Sequence, residues 1–191
     1  MIKIINCGIG NYKTIASLLD ALDREYQVIN HIKEINYDDL YILPGIGSFD
    51  NLIRKLKENN FYDVLKKSDK DKLKIIGICL GAQALLNKSE EGIEQGLSLI
   101  NGKVIRFKSN KVNVGWRCNN INIHNNIYNE RYYFVHSYYM ESKFSYLSST
   151  FNDKVFSSVV KDKHKIAIQF HPERSGNDGI KFFEKMISLC E

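Results

Sequence analysis

Lys74-Ile75-Ile76-Gly77-Ile78-Cys79-Leu80-Gly81 is the stretch on which the reading of the fold turns. A β-branched apolar run of strand character delivers a cysteine into a sharp turn, and a helical pattern follows from about Ala82. Gly77 and Gly81 stand two residues to either side of Cys79. Gly-x-Cys-x-Gly is the spacing of a nucleophile elbow, with sulfur in place of a hydroxyl. The reason is crowding: a nucleophile raised on a strand-to-helix turn leaves room only for glycine beside it. A helix N-terminus favours a thiolate, and the backbone N–H of Leu80 can face a developing oxyanion. The plain alternative is a buried structural cysteine at a strand end.

Downstream, Ile166-Ala167-Ile168-Gln169-Phe170-His171-Pro172-Glu173 is an alternating apolar run that ends in His-x-Glu. In an extended segment, residues two apart point the same way, so the Glu173 carboxylate can fix the His171 tautomer. That is a base with its orienter, and beside the cysteine turn it completes a Cys–His–acid set. Alone, His171 would read as a satisfied histidine at a strand end.

Upstream of the elbow, strands and helices alternate. Ile2 to Ile5 is a short strand, and Gly8-Ile9-Gly10-Asn11 turns into a helix with Asn11 as N-cap. Ile15, Leu18, Leu19 and Leu22 recur at helical spacing, as do Phe49, Leu52, Ile53 and Leu56. Tyr26 to Asn30 and Leu40 to Leu43 are strands, and Pro44-Gly45-Ile46-Gly47-Ser48 breaks the second. Such a βαβ series predicts a parallel sheet covered by helices. The second half is strand-like around 104–107, 121–123, 132–135, 144–147, 155–160 and 166–170, with some antiparallel pairing expected. Ile180, Phe183 and Ile187 mark one face of a closing helix. Gly8-Ile9-Gly10 lacks the rest of a dinucleotide fingerprint, since Lys13 stands where the third glycine belongs, and reads as a tight connection.

Composition narrows the function. The 191 residues are 43% hydrophobic, enough for one domain with a sizeable core. No apolar run approaches the roughly 20 residues of a membrane span, and no secretory leader pattern is expected, so the cytoplasm is the expected compartment. The net charge of +5 is spread out, and Lys66, Lys67, Lys70, Lys72 and Lys74 are interleaved with Asp69 and Asp71. That reads as a solvated loop, not a nucleic-acid patch. Cys7, Cys79, Cys118 and Cys190 form no C-x-x-C pair, so no metal cage is expected, and reduced thiols are favoured over two disulfides.

Three blocks, Leu43-Pro44-Gly45-Ile46-Gly47-Ser48-Phe49, Gly77-Ile78-Cys79-Leu80-Gly81-Ala82-Gln83 and Phe170-His171-Pro172-Glu173, occur in the order and spacing of a family. The chain resembles the class-I, triad-type glutamine amidotransferases over essentially its whole length. Within that group it is most similar to the glutaminase subunits of imidazole glycerol phosphate synthases. Gly8-Ile9-Gly10-Asn11, Ser89-Glu90-Glu91-Gly92, Gly115-Trp116, Tyr133-Phe134-Val135-His136-Ser137-Tyr138 and Arg174-Ser175 carry that finer likeness.

The resemblance implies a three-layer, flavodoxin-like α/β fold with a mostly parallel central sheet, flanking helices and additional antiparallel strands. It implies one glutaminase domain over residues 1–191. Cys79, His171 and Glu173 would be catalytic, and N–H groups of Leu80 and the Ile46-Gly47 segment would form an oxyanion hole. Gly45, Gln83, Glu91, His136, Ser137 and Tyr138 would hold L-glutamine. No cofactor is implied. Ammonia would pass to a synthase or cyclase subunit, a (β/α)8 barrel, in a cytoplasmic heterodimer of histidine biosynthesis. Trp116, Arg117 and Arg174 would lie at the subunit interface, with Tyr138 in or beside it.

The chain departs from the family at Asn6-Cys7, where Asp-Tyr is usual, and at Ala82, where Met is usual. Val112-Asn113-Val114-Gly115-Trp116-Arg117 replaces a common Pro-His-Met-Gly-Trp-Asn. The altered segment leaves a paralogue serving a surface-sugar synthase as an alternative. A catalytically silent binding module and a cysteine peptidase of related fold are others; the intact triad opposes the first, and Gln83 with the His136–Tyr138 block opposes the second.

Overall fold

The apolar run that ends at Cys79 lies in the middle of a sheet. The computed structural model describes residues 1–108, 112–123, 126–128 and 130–191. Its first half runs β1 (Ile2–Ile5), α1 (Tyr12–Asp20), β2 (Tyr26–Ile29), β3 (Leu40–Leu43), α2 (Phe49–Glu58), α3 (Phe61–Lys67), β4 (Lys74–Ile78) and α4 (Leu80–Ala84). Then come β5 (Lys88–Ser89), β6 (Lys103–Arg106), β7 (Asn113–Ile123), β8 (Asn126–Tyr128), β9 (Arg131–His136) and β10 (Tyr138–Glu141). β11 (Ser145–Phe151), β12 (Lys154–Asp162), β13 (Lys165–Ile168), a 3₁₀ turn (Pro172–Arg174) and α5 (Gly176–Cys190) close the chain.

Five neighbouring strands, β2-β1-β3-β4-β13, are parallel. From β13 outward the sheet turns antiparallel through β12, β10 and β6, with β11, β7 and β9 branching from it. Alternation along the strands builds the layers. Ile2, Ile4, Leu40, Ile42, Ile76, Ile78, Ile166 and Ile168 share one core with Ile15, Leu18 and Leu19 of α1 and Phe183 and Ile187 of α5. Ile5, Tyr41, Leu43, Ile75 and Ala167 share the other with α2, α3 and α4. A ten-residue helix as charged as α2 would be marginal alone. Phe49, Leu52, Ile53 and Leu56 are fully buried, which contributes on the order of 6–12 kcal/mol gross.

Several boundaries differ from the sequence reading. The helix after the elbow starts at Leu80, not Ala82, because the backbone enters the helix directly from Cys79. Asn11 is the cap residue of α1 but makes no side-chain cap bond, and Leu22 lies beyond the helix end. Lys66 and Lys67 sit on α3, leaving only part of that lysine run in the loop. The strand expected at 144–147 runs from Ser145 to Phe151. Strand β10 escaped notice because only Ser137 separates it from β9. No helix among the described residues is long and apolar enough to cross a membrane.

Candidate active site

Cys79 and His171 follow the C-terminal ends of β4 and β13, adjacent parallel strands in which Ile78 pairs with Ile168. In such sheets the crevice beyond the strand ends is where ligands bind. The Cys79 N–H donates to the Ile168 carbonyl at 2.7 Å, tying the cysteine to the strand that carries the histidine. Cys79 has φ 53 and ψ −112, a backbone state that costs a non-glycine residue about 1–3 kcal/mol. The glycines explain how it is held. A Cβ on Gly77 would lie 2.6 Å from the Gly81 carbonyl oxygen, and one on Gly81 only 1.9 Å from that of Leu43. The strand, the elbow and the loop after β3 therefore touch backbone to backbone.

His171 is buried, and its Nδ1 lies 2.7 Å from Glu173 Oε1. The contact arises differently from the sequence expectation. Glu173 is not in extended chain but in the 3₁₀ turn, which folds its carboxylate back onto the ring. Burial alone would lower the His171 pKa; hydrogen bonding and charge attraction to Cys79 and Glu173 overcome it and push it up to about 10. The ring thus stands between sulfur and carboxylate. Ser175 clamps the segment: its hydroxyl donates to the His171 carbonyl at 2.6 Å and accepts from the Tyr133 N–H at 3.0 Å.

A cleft of about 330 Å³ opens over the cysteine. Cys79, His171, Ile46, Gly47, Leu80, Gln83, Glu91, His136, Ser137 and Tyr138 line it, joined by Val112 and Val135, which the sequence reading did not select. Gly45 does not line it. A Cβ there would meet the Gly81 nitrogen at 2.5 Å, so this glycine seats the loop on α4. Gly47 has φ +96 with open space around it, so its loop is constrained by dihedral and not by neighbours. At the start of α4, the Leu80 N–H has no intrahelical partner.

Glu91 accepts a hydrogen bond from the Phe49 N–H at 3.0 Å, and burial, the larger influence, raises its pKa. Gln83 donates from Nε2 to the Tyr138 carbonyl at 2.9 Å and to Gln169 Oε1 at 3.1 Å. Gln169, a polar residue in an otherwise apolar strand run, was the available signal for this contact. His136 places Nδ1 2.7 Å from the same Tyr138 carbonyl and Nε2 2.9 Å from Asn113 Nδ2. Both of its ring nitrogens are therefore engaged by protein.

Trp116, Arg117 and Arg174 lie outside the cleft. Trp116 is 43% exposed on β7, edge-on to Tyr133, and the Arg174 guanidinium lies 4.4 Å over that same Tyr133 ring. Val112, just before that strand, and Val114 on it are about half exposed. Arg117 lies over Phe151. All four cysteines are free thiols.

A cysteine on a strained turn at a strand end, backed by an imidazole and a carboxylate at the next strand, is the geometry of thiol-based acyl transfer on an α/β sheet. Residues 3–187 match the family described as "Glutamine amidotransferase class-I", and the chain belongs to that family. It is 39% identical to imidazole glycerol phosphate synthase subunit HisH 2 of Methanococcus maripaludis, over 98% of each chain. It is 35% identical to subunit HisH of Archaeoglobus fulgidus over 100% of each. The corresponding subunit of Thermotoga maritima is 33% identical over 97% of this chain and 96% of its own. Among solved structures, the fold is similar to PurLQS of Thermotoga maritima, with TM-score 0.75 and 18% identity over 100% of this chain and 98% of that one.

Proposed function

We propose that the chain is the glutaminase subunit of an imidazole glycerol phosphate synthase. It hydrolyses L-glutamine to glutamate and ammonia and passes the ammonia to a synthase subunit. The observation that carries this reading is Cys79 and His171 in the cleft, with Glu173 behind the imidazole, in a chain 39% identical over nearly its full length to a subunit of that name.

The Cys79 thiol passes its proton to His171 as the sulfur attacks the side-chain amide carbon of glutamine. Leu80 N–H and an N–H of the Ile46-Gly47 segment receive the oxyanion. His171, oriented by Glu173, delivers its proton to the departing ammonia, which leaves a glutamyl thioester. His171 then takes a proton from water as that water attacks the thioester and returns it to the departing sulfur, so glutamate leaves with the thiol restored. The chemistry needs no cofactor and no metal. Gln83, Glu91, His136, Ser137 and Tyr138 shape the pocket for glutamine, with Glu91 supplying a carboxylate. The glycine-bearing loop gates the oxyanion hole until the partner engages. Loss of one oxyanion donor costs roughly 10²–10³ in rate, which is the activation expected from the partner.

The partner is a (β/α)8 barrel in a cytoplasmic heterodimer, and residues 1–191 act as a single domain. Half-exposed Val112, Val114 and Trp116, with Arg117 and Arg174 at the rim, suit such an interface. The altered run Val112–Arg117 lies on this same surface and supports a second reading, supply of ammonia to a surface-sugar synthase. Pairing the chain with an imidazole glycerol phosphate cyclase subunit tests the acceptor. Efficient glutamine-dependent product formation supports the first reading; failure there with success on a surface-sugar synthase moves the chain to the second.

A further inference from the structure

Along the cleft wall runs a polar chain whose groups take no part in bond making or proton transfer. The Tyr138 carbonyl receives Gln83 Nε2 at 2.9 Å and lies 2.7 Å from His136 Nδ1. A carbonyl only accepts, so His136 Nδ1 carries a proton. The ring is buried among Phe107, Phe134 and Phe156, with centroids 5.3–5.6 Å away. Burial, opposed by the Tyr138 carbonyl and assisted by the nearby His171, pushes the His136 pKa down to about 4. The ring is therefore neutral and its Nε2 bare. Asn113, fully buried and paired with His136 across β7 and β9, places Nδ2 2.9 Å from that nitrogen.

Only one proton arrangement satisfies these contacts. Turning the amide over would set its oxygen against the Nε2 lone pair. Moving the ring proton to Nε2 would set a bare Nδ1 against the Tyr138 carbonyl. Protonating both nitrogens would put a charge inside an aromatic cage. The amide orientation that remains leaves Asn113 Oδ1 buried without a partner, an unfavourable feature that persists because the ring dictates it.

We propose that Asn113 is a positioning residue: its amide locks His136 as the Nδ1–H tautomer, and so fixes the Tyr138 carbonyl and, through it, Gln83 on the nucleophile's helix. Gln83 also reaches Gln169, two residues before His171, so the network touches both strand ends that build the site. Its kinetic consequence rests on the glutaminase reading of the cleft; the tautomer does not. The fixed wall serves ground state and transition state alike, so loosening it changes KM and not kcat.

The test uses the full chain with isotope-labelled histidine, observing the ring nitrogens by NMR near neutral pH. The His136 signals are assigned by their loss in His136→Gln. The wild type should show a protonated Nδ1 and a bare Nε2. Asn113→Asp keeps the shape but replaces the donor by an acceptor, and should bring a proton onto Nε2. In the complex with its synthase, that variant should raise the glutamine KM about tenfold, the weight of one hydrogen bond, with kcat within about twofold. A wild-type ring protonated at Nε2 overturns the proposal even if the variant fails to fold. So does an Asn113→Asp ring that keeps Nε2 bare, or an unchanged KM in a folded variant. If the wild-type complex does not hydrolyse glutamine, the glutaminase reading fails, while the spectra still decide the tautomer lock.

Discussion

Replacing Gly81 by alanine should unseat α4, the helix that follows Cys79. The added Cβ would fall 1.9 Å from the Leu43 carbonyl oxygen, 2.8 Å from its carbon and 3.1 Å from that of Pro44. All three are backbone atoms, so no side-chain tip can swing away. Real Cβ atoms essentially never come within 3.0 Å, so α4 and the loop after β3 must separate by 3.0 − 1.9, about 1.1 Å. Overpacking of this kind costs roughly 1–3 kcal/mol or more in stability. A misplacement of about 1 Å in a reacting group costs on the order of 10²-fold in rate. Denaturant unfolding reads the first effect, and the rate at which a glutamine-like electrophile labels Cys79 reads the second. Gly8→Ala is the contrast. Its Cβ meets nothing within 4 Å but its φ is +81, so it should lose only about 1–2 kcal/mol and label normally. A Gly81→Ala protein within about 0.5 kcal/mol of wild type that labels at the normal rate would refute the packing argument.

Replacing His171 by alanine should cost about as much turnover as losing Cys79, and Glu173→Ala should cost less, since the three act as a unit; a Glu173 variant worse than both others would overturn the roles. Folding raises the His171 pKa from 6.5 to about 10, so its stabilising contribution is fully present below 6.5 and fades as pH rises towards 10. The stability gap between wild type and His171→Asn should therefore narrow over that range, and a widening gap would contradict the sign. Trp116→Ala should weaken synthase binding by about 1–2 kcal/mol or more while shifting the unfolding midpoint little, and titration of the complex decides it. Arg117→Glu should mainly slow association and change its salt dependence; a changed dissociation rate with normal association would place Arg117 away from the rim.

The parallel half was legible because both physical signals were strong there. Leu40 to Leu43 is apolar at every position and buried on both faces, and Phe49, Leu52, Ile53 and Leu56 hold an unbroken helical period. The elbow was legible because its glycine spacing is itself the signature, although only Gly77 answers a clash within the elbow while Gly81 answers one with Leu43 on β3. The antiparallel half was blurred. Its strands mix Asn, Ser and Tyr, and their register is set by partners far along the chain, as between Asn113 and His136. The His171–Glu173 pair was found through the right residues and the wrong local geometry, since Pro172 starts a 3₁₀ turn. Asn113 showed only as part of the altered run 112–117, and its role exists only once β7 lies against β9.

The central claim is that Cys79 generates ammonia from glutamine for a synthase subunit. The most direct measurement reconstitutes the chain with its synthase and offers either glutamine or free ammonia as nitrogen source. The account predicts product from both with wild type. With Cys79→Ala, it predicts product from ammonia alone, with the complex and the fold intact. Glutamine-dependent product from the Cys79→Ala complex, or no glutamine turnover by the wild-type complex, would contradict it.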